Sequence, residues 1–253
     1  MTIRNDPIVD GVARITLNRP ETGNALDLST ARAFRRAIVE TARNEQVRVL
    51  VLAATGKLFC GGGDVGEMAA SADRSGYLAE LAGTMHEALD ALRRTPVPVI
   101  AQVQGTAAGA GVGLVLAADI AVAADPAKFA IAYPGVGLSP DCGVSALLPR
   151  VVGPRRAAVF ALTGRVLTAV EAEEWGLVTE VCSAERLPGR VDELAGAIAA
   201  GPAPALGQAA ILLRQGIEES HVDQLRREAV TIAGLGAGRE AKERIAAFVS
   251  THR

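Results

Sequence analysis

Three short runs, VRVLVLAA (47–54), VPVIAQV (97–103) and DIAVAA (119–124), limit what this 253-residue chain can fold into. They do not alternate apolar with polar residues, as a strand with one wet face does. Near-continuous apolar runs of this length belong to strands buried on both faces, which occur where helices cover a parallel sheet. The segments between them supply the helices. Leu28, Ala31, Phe34, Ile38 and Ala42 recur at helical spacing over 28–43, with Asp27 or Ser29 as the cap. Leu78, Leu81, Met85, Leu89 and Leu92 do the same in a second helix. Upstream, IVDGVARITLN alternates around Asp10-Gly11 and predicts a hairpin. Thr168 and Glu171 have the spacing of a capping box, for a helix ending near Gly176. Strand, helix, strand in this order predicts an α/β fold. From about residue 184 the strand pattern stops and three or four helices are expected, with GPAPALG (201–207) as a break between two of them.

Composition narrows the function classes. Hydrophobic residues make up 49% and charged residues 21%, the balance of a folded chain. The net charge is −2 and the basic residues are scattered, so no nucleic-acid partner is expected. No apolar run reaches the roughly 18 residues of a membrane span. The start, MTIRNDPIVDG, lacks the apolar stretch of a signal peptide. Cys60, Cys142 and Cys182 are too few and too far apart for a disulfide framework or a CxxC metal site. These features together predict a cytoplasmic protein with no membrane partner and no bound metal.

Two glycine clusters carry the functional signal. GGGDVG (61–66) fits GxGxxG, but it stands seven residues past its strand, the wrong context for a dinucleotide fingerprint. GTAAGAGVGLVLAAD (105–119) sets Gly109, Gly111 and Gly113 in an apolar, helix-like stretch. Each glycine costs a helix interior up to about 1 kcal/mol relative to alanine. One explanation is that bare backbone at a helix start offers N–H groups to a carbonyl oxygen gaining negative charge. The other is close packing of the helix on a sheet. Spacing alone leaves both open.

RITLNRPE (14–21) with Asn24, Ala25 and Leu26 resembles the opening signature of the crotonase superfamily, the enoyl-CoA hydratase/isomerase family. GKLFCGGGD (56–64), QGTAAGAGVGLVLAADIAVAA (104–124), AKFAIAYPGVGLSPDCGVSALLPRVVG (127–153) and GRVLTAVEAEEWGLVTEV (164–181) continue the likeness in order. The resemblance implies an α/β fold: a crotonase-like β-β-α spiral core over 1–183 and a C-terminal helical oligomerisation region over 184–253. It implies an acyl-CoA thioester as ligand, with coenzyme A part of the substrate and no separate cofactor. It also implies a homotrimer or hexamer, and Ile211, Leu212, Leu213, Leu225, Ile232 and Leu235 give the last helices apolar surface to spare. By the same likeness the N–H groups of Gly63 and Ala110 form an oxyanion hole, so that the glycines expose backbone to a thioester. Ala25, Leu26, Gly61 and Asp64 are the implied coenzyme A contacts.

The fold does not fix the reaction. The two glutamates of the family's hydratases fall at positions that hold Gly113 and Tyr133 in this chain, which argues against hydration. Asp141 stands where several isomerases of the family carry their single acid, although an aspartate there could also cap the helix of CGVSALL. His86 borders an apolar stripe and reads most plainly as a partly buried histidine. The chain also resembles the 4-chlorobenzoyl-CoA dehalogenases. In those enzymes an aspartate matching Asp141 attacks the ring, a histidine matching His86 activates water, and a tryptophan matching Tyr133 donates to the aspartate. Ser139 and Ser145 have no evident base. The family's phosphate-binding lysine falls at Thr251, with Arg253 nearby. The expected reaction is a double-bond shift from 3-enoyl-CoA to 2-enoyl-CoA with Asp141 as base. Aryl-CoA dehalogenation, hydration and non-catalytic acyl-CoA binding are the alternatives.

Overall fold

The computed structural model describes residues 1–217 and 219–251. The chain opens with β1 (Ile3–Asn5) and β2 (Val12–Leu17), antiparallel with Ile3 opposite Leu17. The Asp10-Gly11 turn joins them as expected: both residues have positive φ, 50° and 81°, and a Val9–Val12 bridge closes the tip. The first arm begins earlier than the alternation suggests. Pro7, with no N–H to give a ladder, lies in the gap between β1 and the bridge.

After α1 (Leu28–Ala42) the chain makes three similar circuits. The first is β3 (Val49–Ala54), β4 (Leu58–Cys60), α2 (Val65–Ala70) and α3 (Arg74–Arg94). The second is β5 (Val99–Val103), β6 (Thr106–Ala108) and α4 (Ala110–Ala117). The third is β7 (Ile120–Ala124), β8 (Lys128–Ala130), α5 (Val144–Val152) and α6 (Pro154–Leu162). Then β9 (Val166–Thr168), α7 (Ala169–Glu174) and β10 (Glu180–Cys182) close the core. The helices α8 (Leu187–Ala199), α9 (Ala203–Gly216), α10 (His221–Ala237) and α11 (Arg239–Thr251) follow.

In each circuit one strand joins a six-stranded sheet and the next joins a four-stranded one. The large sheet has the order β1-β2-β3-β5-β7-β10, parallel from β2 onward. The small sheet runs β4-β6-β8-β9, with only β8 and β9 antiparallel. This is the expected β-β-α spiral.

The apolar strands are explained by what covers each face. Leu50 and Leu52 of β3 belong to the core shared with α1 and α3. Val49 and Val51 pack with Ile100 and Val122 against Leu187, Val191, Ala195 and Ala199 of α8. The helical segment that starts near 184 thus begins with a helix closing the outer face of the large sheet.

Local signals set the helix starts. The Asp27 carboxylate accepts the Thr30 N–H at 2.6 Å. The Thr168–Glu171 capping box is complete, and the Thr168 N–H holds the Glu171 carboxyl down at about 2. Arg214 anchors α9. It is 4% exposed, pairs with Asp119 at 2.5 Å, and donates to the carbonyls of Leu92 in the last turn of α3 and of Thr95 and Val97 just beyond it. A guanidinium is tolerated at that depth because its donors are satisfied. By contrast, α10 and α11 contain no buried residue. Among the described residues no single helix is long and apolar enough to cross a membrane; α8 and α9 pass that test only together and are bent by 111° at their break.

Candidate active site

The site begins at a buried asparagine. Asn24 adopts φ 57°, a conformation asparagine tolerates better than most residues. Its amide donates to the carbonyls of Thr55 and Leu58, both at 2.8 Å, and its Oδ1 accepts the Arg19 N–H at 2.8 Å. Asn24 thereby holds the next residues beside the loop that follows β4. The Leu26 N–H donates to Gly62 O at 2.8 Å, and the Asp64 N–H donates to Leu26 O at 2.9 Å. These two bonds bracket Gly63. The Gly63 N–H lies on the opposite edge, and no described residue accepts from it.

A second free N–H comes from α4. The Gly109 N–H donates to Ala130 O at 3.0 Å, ending the β6–β8 ladder, and Ala110 is the first helical residue. Helix-start N–H groups have no partner within the helix, and none of the described residues accepts from Ala110. The two backbone segments approach closely. A Cβ added at Gly62 (φ 96°) would lie 3.1 Å from Ala108 O and 3.7 Å from Ala110 N. Gly109 has φ 52° and ψ −118°, and an added Cβ would lie 3.7 Å from Gly62 Cα.

The other two glycines of α4 do something different. A Cβ at Gly111 would stand 2.5 Å from Cys60 O, and one at Gly113 would stand 2.7 Å from both Cβ and O of Cys142. The idea that all three glycines bare backbone for a ligand is therefore corrected. Gly109 serves the bend that frees Ala110, while Gly111 and Gly113 let the helix touch β4 and the 141–143 turn. A glutamate at 113 has no room unless that turn moves.

Between the two loops lies a cavity of about 240 Å³ whose walls include Leu26, Gly63, Met68, Leu81, Met85, Ala110, Tyr133 and Leu138. Asp141 is the one carboxylate among the described residues that line it. The Tyr133 hydroxyl donates to Asp141 Oδ1 at 2.5 Å. Burial, then the Asp141 charge, push the Tyr133 hydroxyl far above its ordinary range, so it stays a donor. Asp141 does not cap the following helix: the N-cap of α5 is Gly143, and no side chain caps it.

Cys142 beside it has φ 51°, and its thiol is pushed up by burial and then by Asp141. Burial likewise pushes Cys60 up to about 12. Neither thiol is an activated nucleophile. Cys142 and Met68 are cavity residues that sequence reading passed over. Only their placement by the turn and by α2 brings them in.

The remaining predicted residues separate. Leu26 and Gly61 line the cavity, whereas Ala25 lies just outside it, its carbonyl accepting from Arg19 at 2.8 Å. Asp64 caps α2 and pairs with Arg19 at 3.4 Å; Arg19 also pairs with Asp27 at 2.8 Å. Arg19 thus ties both acidic caps to the loop. Ser139 lines the cavity, and Ser145 is exposed on α5. Thr251 ends α11, and Arg253 lies outside the described residues.

His86, on α3, is exposed and not among the cavity-lining residues; its Nε2 accepts the Cys142 N–H at 3.2 Å. Its nitrogen, the Asp141 carboxylate and the Cys142 sulfur lie within 4.8 Å of one another. A metal there would have to take Nε2 from the backbone and a proton from a buried thiol.

Known proteins share this fold and much of this sequence. The family model for enoyl-CoA hydratase/isomerase matches residues 8–253. A 1,2-epoxyphenylacetyl-CoA isomerase of Escherichia coli K12 is 35% identical over 250 residues, 95% of this chain and 92% of the relative. A 4-chlorobenzoyl coenzyme A dehalogenase of an Arthrobacter species is 32% identical over 243 residues, 95% of this chain and 88% of the relative. The crystal structure of an enoyl-CoA hydratase from Bacillus anthracis superposes with a TM-score of 0.94 at 28% identity, covering 99% of this chain and 97% of that one.

Proposed function

Because the chain belongs to the enoyl-CoA hydratase/isomerase family, we propose that it shifts a double bond of an acyl-CoA thioester from C3 to C2, with Asp141 as the base. One observation carries the proposal. Among the described residues a single carboxylate lines the apolar cavity, together with the residues of two unpartnered backbone N–H groups, and a second acid at position 113 would collide with the 141–143 turn.

The thioester oxygen sits between the N–H groups of Gly63 and Ala110. Asp141 takes a proton from C2, and the electron pair delocalises over C2–C4 and the thioester oxygen as a dienolate. The same carboxylate returns the proton to C4, leaving the double bond between C2 and C3. Charge develops where the two donors wait, and each well-placed donor contributes about 2.7–4 kcal/mol to lowering the barrier. Tyr133 holds one Asp141 oxygen, which leaves the other for the proton transfer. Ala25, Leu26, Gly61 and Asp64 take the coenzyme A end, and no nicotinamide cofactor is needed.

A screen of 3-enoyl-CoA, 2-enoyl-CoA and 4-chlorobenzoyl-CoA tests this. Isomerisation by the wild type should fall about 10²–10⁴-fold in Asp141→Asn. Undiminished isomerisation in that variant would remove Asp141 as the base. Titration calorimetry should show binding of the CoA ester and none of NAD(H).

The Tyr133–Asp141 bond also suits dehalogenation as a second reading. There an Asp141 oxygen bonds the ring carbon, chloride leaves, and water hydrolyses the aryl ester at its carbonyl carbon. A single turnover in ¹⁸O-water would then label Asp141, whereas proton transfer leaves it unlabelled.

The proposal includes a cytoplasmic homotrimer, alone or paired into a hexamer, assembled through the helices after residue 184. Leu213, Leu225 and Ile232 support it: they are 74%, 50% and 71% exposed, so folding of one chain leaves them uncovered.

A further inference from the structure

We infer that His86 is a positioning residue for Asp141, acting as a hydrogen-bond acceptor for the backbone of the 141–143 turn and not as a base toward substrate. The inference rests on the reading of Asp141 as the base. The turn is held in a conformation that side chains with a Cβ disfavour. Cys142 has φ 51° and Gly143 has φ 76°, and the Val144 N–H donates back to Asp141 O at 3.0 Å. A left-handed non-glycine residue persists only where its surroundings over-determine it.

Two contacts do so. On one side Gly113 of α4 abuts the Cys142 Cβ and carbonyl, an approach no larger residue allows. On the other, His86 Nε2 takes the Cys142 N–H at 3.2 Å. Without that acceptor the peptide N–H between Asp141 and Cys142 has no partner among the described residues. That peptide is then held only through Asp141 O and the Gly113 contact, and the backbone that carries the Asp141 carboxylate loosens.

The same bond fixes the state of the imidazole. A backbone N–H can only donate, so Nε2 carries the lone pair and the ring proton sits on Nδ1. An imidazole whose lone pair is committed to the backbone, and which does not line the cavity, is not placed to activate water there. His86 stands one residue after Met85 and five after Leu81, both of which line the cavity. Through His86, α3 connects the acyl wall to the base.

Two substitutions separate the roles. His86→Gln puts a carbonyl oxygen near the place of Nε2 and keeps an acceptor; His86→Leu keeps bulk and removes it. The expected result is a roughly ten-fold loss of kcat in His86→Leu with KM within about two-fold, because the carboxylate is misaimed and the pocket is intact. His86→Gln should recover kcat to within about three-fold of wild type. Equal loss in both variants would mean that imidazole proton chemistry is required. No loss in either would mean that the acceptor does nothing. Both results overturn the inference.

Two readouts need no turnover and so separate failure here from failure of the isomerase reading. Nitrogen NMR of the chain's three histidines, with His86 identified by its loss in His86→Gln, should show His86 protonated at Nδ1 and not at Nε2. Amide exchange at Cys142 should be faster in His86→Leu than in wild type or His86→Gln. Protonation at Nε2, or unchanged exchange in His86→Leu, overturns the positioning role whatever reaction Asp141 serves.

Discussion

An apolar helix and an amphipathic one meet opposite fates in this protein. All eight residues of α4 are buried, while none of the 17 in α10 is. The difference lies in what the same chain brings against them. Helix α4 is surrounded by β4, β6 and the 141–143 turn, at distances that only Gly111 and Gly113 permit. Helix α10 leaves Val222, Val230 and Ile232 largely facing solvent, and none of the described residues buries them. The candidate site belongs to the first kind of burial. Its two free N–H groups and its carboxylate are placed by contacts within one core, whereas the apolar surface of the last helices stays exposed on the single chain.

The largest expected break in this comparison is Gly111→Val. The new side chain would press on the Cys60 carbonyl, and overpacking of this kind costs about 3 kcal/mol. At this chain length that corresponds to a fall in Tm of roughly 6–12 °C by calorimetry. A change under about 1 °C would show that α4 is not packed as tightly as the contacts imply. Tyr133→Phe should leave Tm near wild type but lower kcat roughly ten-fold, since one anchor of the carboxylate is gone. An unchanged kcat would reduce Tyr133 to a wall residue. The smallest effect on folding belongs to Ile232→Asp, with a stability change of the single chain within about 0.5 kcal/mol. Its readout is assembly: sedimentation at micromolar concentration should move from trimer to monomer. A trimer that survives, or a wild type that is already monomeric, breaks the assignment of α10 to an interface.

Much of the fold was legible because its signals are local. The doubly buried strands, the Asp27 cap, the Thr168–Glu171 capping box and the Asp10-Gly11 turn are each set by a few neighbouring residues. Of the candidate site, a resemblance singled out Gly63, Ala110, Asp141 and Tyr133, which the fold brings to one cavity. The roles that stayed hidden depend on what arrives from far along the chain. That Gly111 meets Cys60, 51 positions away, and that the Cys142 N–H meets His86, 56 positions away, follows from the spiral and from no local pattern. The same holds for α8: its sequence says only that it is a helix, and its packing against β3, β5 and β7 makes it a wall of the core.

The most direct test of the central claim, that one carboxylate carries the proton across, follows the proton itself. A 3-enoyl-CoA dideuterated at C2 is turned over once by excess enzyme in ordinary water, and the product is read by mass spectrometry and NMR. Deuterium is expected at C4, carried there by Asp141 from C2. A product whose new C4 hydrogen comes entirely from solvent would contradict it, because the return of the proton would then belong to water or to a second group.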